Sequence, residues 1–219
     1  MKNEVTRLAP VEIDGEVFYK ISDVDSMRPF FMSIVSDSNH WMFIASNGGV
    51  SAGRKDAQHA LFPYYTDDKI TGSAETTGSK SIFWVYTNNQ EYLWEPFSIR
   101  GAGKFKVSRN LYKSKFGNKI IFEEINIDLG LCFKYQWSSS NQYGFVRMST
   151  LANLSDTAVK VKLLDGLQNI LPYGVGSDLQ NSASNLADAY KRTELIPESG
   201  LVAGTVLQIA AHTIGQYIL

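Results

Sequence analysis

The sequence has a single cysteine and few histidines. Cys132 cannot form a disulfide within the chain, so nothing in the sequence favours an oxidising compartment. The three histidines, His40, His59 and His212, are scattered, and none belongs to a His-x-x-x-His pair of metal ligands. We therefore predict no metal site and no cofactor, and we expect His40 and His59 to be ordinary surface residues.

The sequence also lacks an excess of charge of either sign. It contains 21 Lys and Arg against 22 Asp and Glu, which leaves a net charge of −1. Proteins that bind nucleic acids depend on a basic excess or stripe to neutralise phosphates. The densest basic segment, residues 104–119, is interleaved with apolar residues, which is typical of solvated strand faces. We expect no nucleic-acid partner.

Long apolar segments are rare. The first residues lead into no apolar signal region, which favours a cytoplasmic location. No charged residue follows Glu198 through Leu219, a length close to the roughly 20 residues that span a bilayer. Polar residues and glycines dilute this segment. We interpret it as a buried strand over residues 201–209 followed by an apolar end, and not as a membrane anchor.

Alternation of apolar and polar residues with a period of two predicts many strands. Residues 125–137 show it most clearly and predict one continuous strand with one buried face. The pair Asp14-Gly15 predicts a type I′ turn between two strands. Trp84 and Trp137 lie inside such strands, so we expect them in the core.

Only residues 177–192 have the 3.6-residue period of an amphipathic helix. Ser177 and Gln180 resemble a capping box at its start, and Lys191 and Arg192 would form its last turn. With one helix and no alternation of strands and helices, the pattern predicts an all-β sandwich, formed by a single domain over residues 1–219.

Motifs of common active sites are absent. The sequence has no phosphate loop, no dinucleotide-binding glycine motif and no nucleophile elbow. Glu123 and Glu124 are adjacent, so on a strand they point to opposite faces and cannot act as a pair. We expect both to be solvated, we place Asp67 and Asp68 in a turn, and we predict no catalytic residue.

Aromatic residues are abundant, with four tryptophans and eleven tyrosines. Apolar rings with a few well-placed polar neighbours form the general pattern of a sugar site. Trp94 follows Tyr92 in an irregular segment that contains Pro96, and binding residues concentrate in such segments. Trp94 is therefore a candidate for stacking on a sugar, with a structural plug as the alternative.

Three segments together resemble a known family. They are Arg28-Pro29-Phe30 followed by residues 43–51; Tyr92-Leu93-Trp94-Glu95-Pro96-Phe97; and Gly144-Phe145-Val146-Arg147 followed by residues 151–155 and 164–172. In this order they resemble the N-terminal domain of cellobiose-phosphorylase-type glycoside phosphorylases. The resemblance covers roughly residues 15–205. Tyr92, Trp94 and Arg147 form the candidate carbohydrate-binding set.

The resemblance implies a β-supersandwich of the galactose-mutarotase type. In that family the catalytic acid and the phosphate site lie in a following (α/α)6 barrel, and this sequence ends before such a barrel could begin. We therefore expect a non-catalytic, carbohydrate-associated domain whose natural partner is the missing helical barrel. Two alternatives are a mutarotase-like epimerase, which needs an acid and a base such as His and Glu, and a structural domain that supports the barrel or a homodimer contact.

Overall fold

The computed structural model describes the backbone of residues 8–63, 67–172, 174–189, 191–196, 198, 201–206 and 215–218, and the side chains of residues 8–63, 69–172, 174–183 and 198. The strands are β1 Leu8–Ile13, β2 Glu16–Ile21, β3 Phe31–Ile34, β4 His40–Ala45, β5 Val50–Arg54, β6 Gly78–Thr87, β7 Gln90–Trp94, β8 Val107–Ser114, β9 Lys119–Asn126, β10 Leu131–Ser140, β11 Gly144–Asn153, β12 Lys160–Gln168, β13 Lys191–Ile196, β14 Leu201–Val206 and β15 Gly215–Ile218. The α-helices are α1 Asp67–Ile70 and α2 Ser177–Ala189, and short 3₁₀ turns lie at Val24–Ser26, Ala57–His59 and Thr71–Ser73.

The described strands pair antiparallel in four sheets. The largest, the six-stranded sheet, has the order β1-β2-β8-β9-β10-β11. The β4 sheet is β3-β4-β5, the β6 sheet is β12-β6-β7, and the C-terminal sheet is β13-β14-β15. Most neighbours in a sheet are also neighbours in sequence, as expected for hairpin connections.

One hydrophobic core joins three of these sheets. The six-stranded sheet contributes Leu111, Ile120, Phe122, Leu131, Phe133, Tyr135 and Trp137. The β4 sheet contributes Met32, Ile34, Met42, Ile44, Val50 and Ala52, and the β6 sheet contributes Phe83, Val85 and Trp94. The six-stranded sheet thus packs against the other two across a shared apolar layer, which confirms the predicted all-β sandwich.

The strand predicted over residues 125–137 is wrong, because the chain forms a hairpin there. β9 ends at Asn126 and β10 begins at Leu131. Asn126 Oδ1 accepts a hydrogen bond from Leu129 N at 3.1 Å, and Gly130 has a φ of 63°. Since Asn126 pairs with Leu131, Ile125 lies on the face opposite to Leu131. The apolar residues that alternate through residues 125–137 therefore do not all lie on one face of the sheet.

Other local predictions have mixed outcomes. Asp14 and Gly15 have φ values of 51° and 78°, which confirms the β1–β2 turn. Helix α2 forms, but it ends at Ala189, and Lys191 and Arg192 lie in β13 and not in a last helical turn.

Further predictions concern the start of α2, a turn and the chain end. At Ser177, where a capping box is predicted, the hydroxyl accepts a hydrogen bond from Gln58 Nε2 at 2.6 Å, and this contact joins α2 to Ala57–His59. Asp67 and Asp68 begin the short helix α1 and do not form the predicted turn. The strand predicted over residues 201–209 is present as β14, while residues 207–209 and the predicted burial of the chain end lie outside the described residues. Among the described helices, none is long and apolar enough to cross a membrane.

Candidate functional site

Trp94 and Tyr92 lie on the inner face of β7, towards the core. Trp94 is 2% exposed, its ring packs against Phe83 with centroids 5.2 Å apart, and its Nε1 donates to Glu124 Oε1 at 2.8 Å. Tyr92 is partly buried and meets the Phe105 ring edge-on at 6.4 Å. Trp94 therefore has the structural role, which was the alternative to sugar stacking, because no face of its indole is open to a ligand in this conformation.

Arg147 joins two sheets. Its Nη1 and Nη2 donate to the two Oδ atoms of Asp165 at 2.9 and 2.8 Å, and its Nε donates to Ser79 Oγ at 2.9 Å. The guanidinium carbon lies 5.3 Å from the centre of the Tyr135 ring, and the side chain is 9% exposed. Burial raises the pKa of Asp165, but hydrogen bonds from Arg147 and Ser81 outweigh it, and the pKa is lowered. Arg147 thus links β11 to β12, and each of its three guanidinium nitrogens donates in these contacts.

Glu124 and Glu123 lie on opposite faces of β9, as predicted, but both are buried and the prediction of solvated carboxylates is wrong. Glu124 is 1% exposed and faces the core. Beside the bond from Trp94, its Oε2 accepts from Phe97 N at 2.6 Å and from Arg109 Nε at 2.8 Å. One buried carboxylate therefore satisfies three donors from three separate segments.

The backbone conformation of Phe97 is stabilised by its hydrogen bond to the Glu124 carboxylate. Its φ of 63° lies in the left-handed region, which is unfavourable for a bulky side chain. Its ring nevertheless packs into the core, at 5.2 Å from Tyr135 and 6.3 Å from Phe122 and Phe133. The bond from Phe97 N to Glu124 and these ring contacts hold the strained conformation in place.

Glu123 forms a second polar cluster, on the outer face of the six-stranded sheet. It accepts hydrogen bonds from Asn110 Nδ2 and Tyr112 Oη, both at 2.8 Å, and pairs with Lys134 Nζ at 2.6 Å. Burial raises the pKa of the Glu123 carboxyl, but these three partners outweigh it and the pKa is lowered. Burial, followed by the charge of Glu123, raises the pKa of Cys132. A protonated, buried thiol of this kind is unreactive.

One small pocket lies between the turn at Gly48 and the segment that contains Phe97. Its lining residues are Asn47, Gly48, Ala74, Glu75, Ser79, Lys80, Ser81, Pro96, Phe97, Ser98 and Tyr135. The pocket has a volume of about 20 Å³, on the scale in which one water needs roughly 10–15 Å³. Glu75 accepts from Ile99 N at 2.8 Å and pairs with Lys80 at 3.2 Å. The pocket is too small for a sugar ring, and its charges neutralise each other.

The two described histidines have separate settings. His40 starts β4, where its Nδ1 lies 2.5 Å from Ser38 Oγ and its ring packs 5.1 Å from Phe145, so it is partly buried and not the exposed loop residue predicted. Burial, followed by the charge of Arg54, lowers its pKa. His59 pairs with Asp56 at the surface, as predicted. Neither contact set includes a glutamate, and the described residues contain no cluster of three metal-binding side chains.

The outer face of the β6 sheet carries two adjacent, partly exposed aromatic rings. Pairing across the sheet sets three rows of side chains on this face: Leu164 and Ile82; Lys162, Trp84 and Leu93; Lys160, Tyr86 and Glu91. Trp84 and Tyr86 are partly exposed, and they are neighbours two residues apart on the central strand. We call this surface the Trp84 face.

Several observations show that the Trp84 face is open. Leu93 is 45% exposed and Leu164 is 60% exposed. Gly166 continues the face by one row, and a Cβ added there would meet no atom within 4 Å. Trp84 itself is not the core residue predicted, because the core side of β6 is formed by Phe83 and Val85. Of the two tryptophans of this sheet, Trp94 therefore faces the core and Trp84 lies partly exposed on the outer face.

A second aromatic row lies on the outer face of the β4 sheet, where Phe31 is exposed and Trp41 and Phe43 are partly exposed. The rings of Phe31 and Phe43 lie 5.3 Å apart, and those of Trp41 and Phe43 lie 5.7 Å apart. The segment after β5 pairs with the edge of this sheet through a bridge between Gly53 and Ala60. The Trp84 face is the better candidate for a binding surface because exposed charged residues, Lys160, Lys162 and Glu91, lie beside its rings, whereas Ser33, Ser51 and Gly53 lie beside the rings of the β4 row.

The run from Ile82 to Tyr86 explains why the sequence does not reveal this surface. All five residues are apolar or aromatic, so no alternation indicates which of them face the core. Comparison with known proteins adds no identification. The sequence matches no family model and no curated protein.

Proposed function

We propose that this protein is a non-catalytic carbohydrate-binding β-sandwich domain whose sugar-binding surface is the Trp84 face. The observation that carries the proposal is the adjacent pair of partly exposed rings, Trp84 and Tyr86, on an open sheet face. Apolar ring faces suit the C–H faces of sugars, and the amphipathic Trp and Tyr side chains also offer polar atoms at their edges.

The dimensions of the Trp84 face favour an extended sugar chain over a single enclosed sugar. Rows two residues apart on a strand are separated by roughly 6.6–6.8 Å, and neighbouring strands by about 4.8 Å. Such a face offers contact to one or two sugar rings laid along it, with Lys160, Lys162 and Glu91 beside them to bond hydroxyl groups. It encloses nothing, so it can bind an inner segment of a polymer.

The resemblance to the N-terminal domain of glycoside phosphorylases supports a carbohydrate context. On that basis we also propose a catalytic helical barrel as the natural partner of this domain. The lack of an apolar signal region near Met1 is the basis on which we propose a cytoplasmic location. The epimerase alternative is less favoured, because the contacts of His40 and His59 lack the glutamate that this chemistry would pair with a histidine.

The proposal is tested by measuring the affinity of the protein for a panel of soluble neutral and acidic polysaccharides. Trp84→Ala and Tyr86→Ala should each weaken binding by about tenfold, which corresponds to roughly 1.4 kcal/mol. Tyr143→Ala is the matched control, because Tyr143 is an exposed aromatic residue in the β10–β11 turn. Circular dichroism establishes that each variant folds. Unchanged affinities in folded Trp84 and Tyr86 variants would rule out this surface.

A further inference from the structure

Two lysines converge on one aromatic ring of the Trp84 face. Lys160 and Lys162 lie two residues apart on the edge strand β12, and both are exposed. Their Nζ atoms lie 5.9 and 5.5 Å from the centre of the Tyr86 ring. Neither lysine forms an ion pair within the part of the chain that the structure describes, although Glu91 lies opposite Tyr86 in the sheet register.

This arrangement places uncompensated positive charge beside a surface suited to sugars. Two ammonium groups drawn towards one ring repel each other, and the ring offsets only part of that repulsion. An anion placed beside both would be attracted by two charges at once. Glu91 leaves a local net charge of about +1 among these three groups, which suits units with a single negative charge better than densely charged ones.

We propose that the Trp84 face binds acidic polysaccharides with one carboxylate per sugar unit, that is, chains of uronic acids. This inference rests on the proposed function and names its ligand class. The C–H face of the sugar stacks on Trp84 and Tyr86, the carboxylate lies near Lys160 and Lys162, and Glu91 accepts a hydrogen bond from a sugar hydroxyl. Each group on the surface then has a partner of matching chemistry.

A competing explanation is that these lysines only protect an edge strand. Charged side chains, lysine above all, keep an exposed strand edge from pairing with another chain. That role requires no ligand, so it predicts no dependence of any binding on the carboxylate of a sugar. The two explanations therefore differ in a measurable quantity.

The test compares polygalacturonate with the same polymer after its carboxylates are methyl-esterified, by calorimetry at low and at physiological salt. Two exposed ion pairs correspond to a preference of about tenfold for the acid form, and this preference should shrink as salt rises. The double variant Lys160→Gln/Lys162→Gln should lose the preference but still bind the ester. Lys115→Gln, at an exposed lysine in the β8–β9 turn, should behave like the wild type.

Three results would overturn the inference. Equal affinity of the wild type for the acid and the ester would remove the role of the carboxylate while leaving the proposed function intact. Tighter binding of dextran sulfate than of polygalacturonate would indicate a general polyanion surface. Binding of none of these polymers, nor of the neutral panel, would refute the proposed function as well.

Discussion

Glu124 is the residue whose replacement should disturb this fold most specifically. Its carboxylate accepts hydrogen bonds from Trp94 Nε1, Phe97 N and Arg109 Nε, all within 2.8 Å. In Glu124→Gln the side chain keeps its shape but loses its charge. Its amide group would also point hydrogens at one of three groups that are themselves donors.

The expected cost follows from these three bonds. A hydrogen bond to a charged group contributes about 1.5–3 kcal/mol and a neutral one about 0.5–1.5, so three weakened bonds amount to roughly 3 kcal/mol. Arg109 is left without its ion-pair partner, but its side chain is 20% exposed, so water compensates part of that loss. We expect Glu124→Gln to lower the free energy of unfolding by about 3 kcal/mol.

Urea denaturation provides the measurement. The comparison requires that the free energy of unfolding depends on urea concentration with the same slope in wild type and variant. Glu12→Gln is the control, since Glu12 is an exposed residue of β1, and its replacement should change stability by less than about 0.5 kcal/mol. A double-mutant cycle with Arg109→Met adds a second criterion. Removing the unpaired cation should recover part of the loss, so the two changes should not be additive.

Equally mild effects of Glu124→Gln and Glu12→Gln would refute this role of the carboxylate. Simple additivity of the Glu124 and Arg109 effects would also refute it, because the carboxylate would then not act through the pair. A changed slope in urea would point instead to an altered unfolded or native state.

The other predictions concern the link between β11 and β12 and the packing of β5. Asp165→Asn should destabilise the protein at pH 7. The pKa of Asp165 is lowered in the folded state, so its charge contributes stability above the unfolded pKa of about 3.9, and this stability is lost as the pH falls. The difference in stability between wild type and variant should therefore shrink below about pH 4, which urea titrations at pH 7 and pH 3 measure. Arg147→Lys should lower the melting temperature, since lysine cannot form the two parallel bonds to Asp165. Gly53→Ala should cost about 1–3 kcal/mol, because its Cβ would lie 2.6 Å from Trp41 Cζ2 and 2.5 Å from a backbone oxygen, whereas Gly166→Ala, with open space around it, should be tolerated; equal melting temperatures for these two variants would contradict the structure.

The sequence predicts the fold class well because the strands with one polar face reveal their alternation. The Asp14-Gly15 turn is specified locally, since few other residue pairs adopt two positive φ values. The β9–β10 hairpin is missed because Ile127 and Leu129 continue an apolar pattern through a turn. Nothing in that pattern shows that Asn126 closes the turn with its side chain.

The candidate surface is harder to predict, for a different reason. Whether Trp84 or Trp94 faces the core depends on which alternate residues of β6 and β7 point inwards. The run from Ile82 to Tyr86 is apolar throughout, so the sequence does not indicate which set this is. The burial of Glu124 is likewise non-local. Its partners lie 30, 27 and 15 residues away in the chain, so no local pattern indicates that this carboxylate is buried and satisfied.

Position 97 has consequences for how this protein can vary. Glycine would relieve the backbone at a φ of 63°, a strain of about 1–3 kcal/mol. The same change would empty the space that the ring fills among Phe122, Phe133 and Tyr135, at a cost of roughly 3–5 kcal/mol if the site were fully buried. Any other large side chain keeps the strain and must match the shape of the ring. No replacement satisfies both demands, so this position should tolerate little substitution during evolution, although nothing in its local sequence marks it as special.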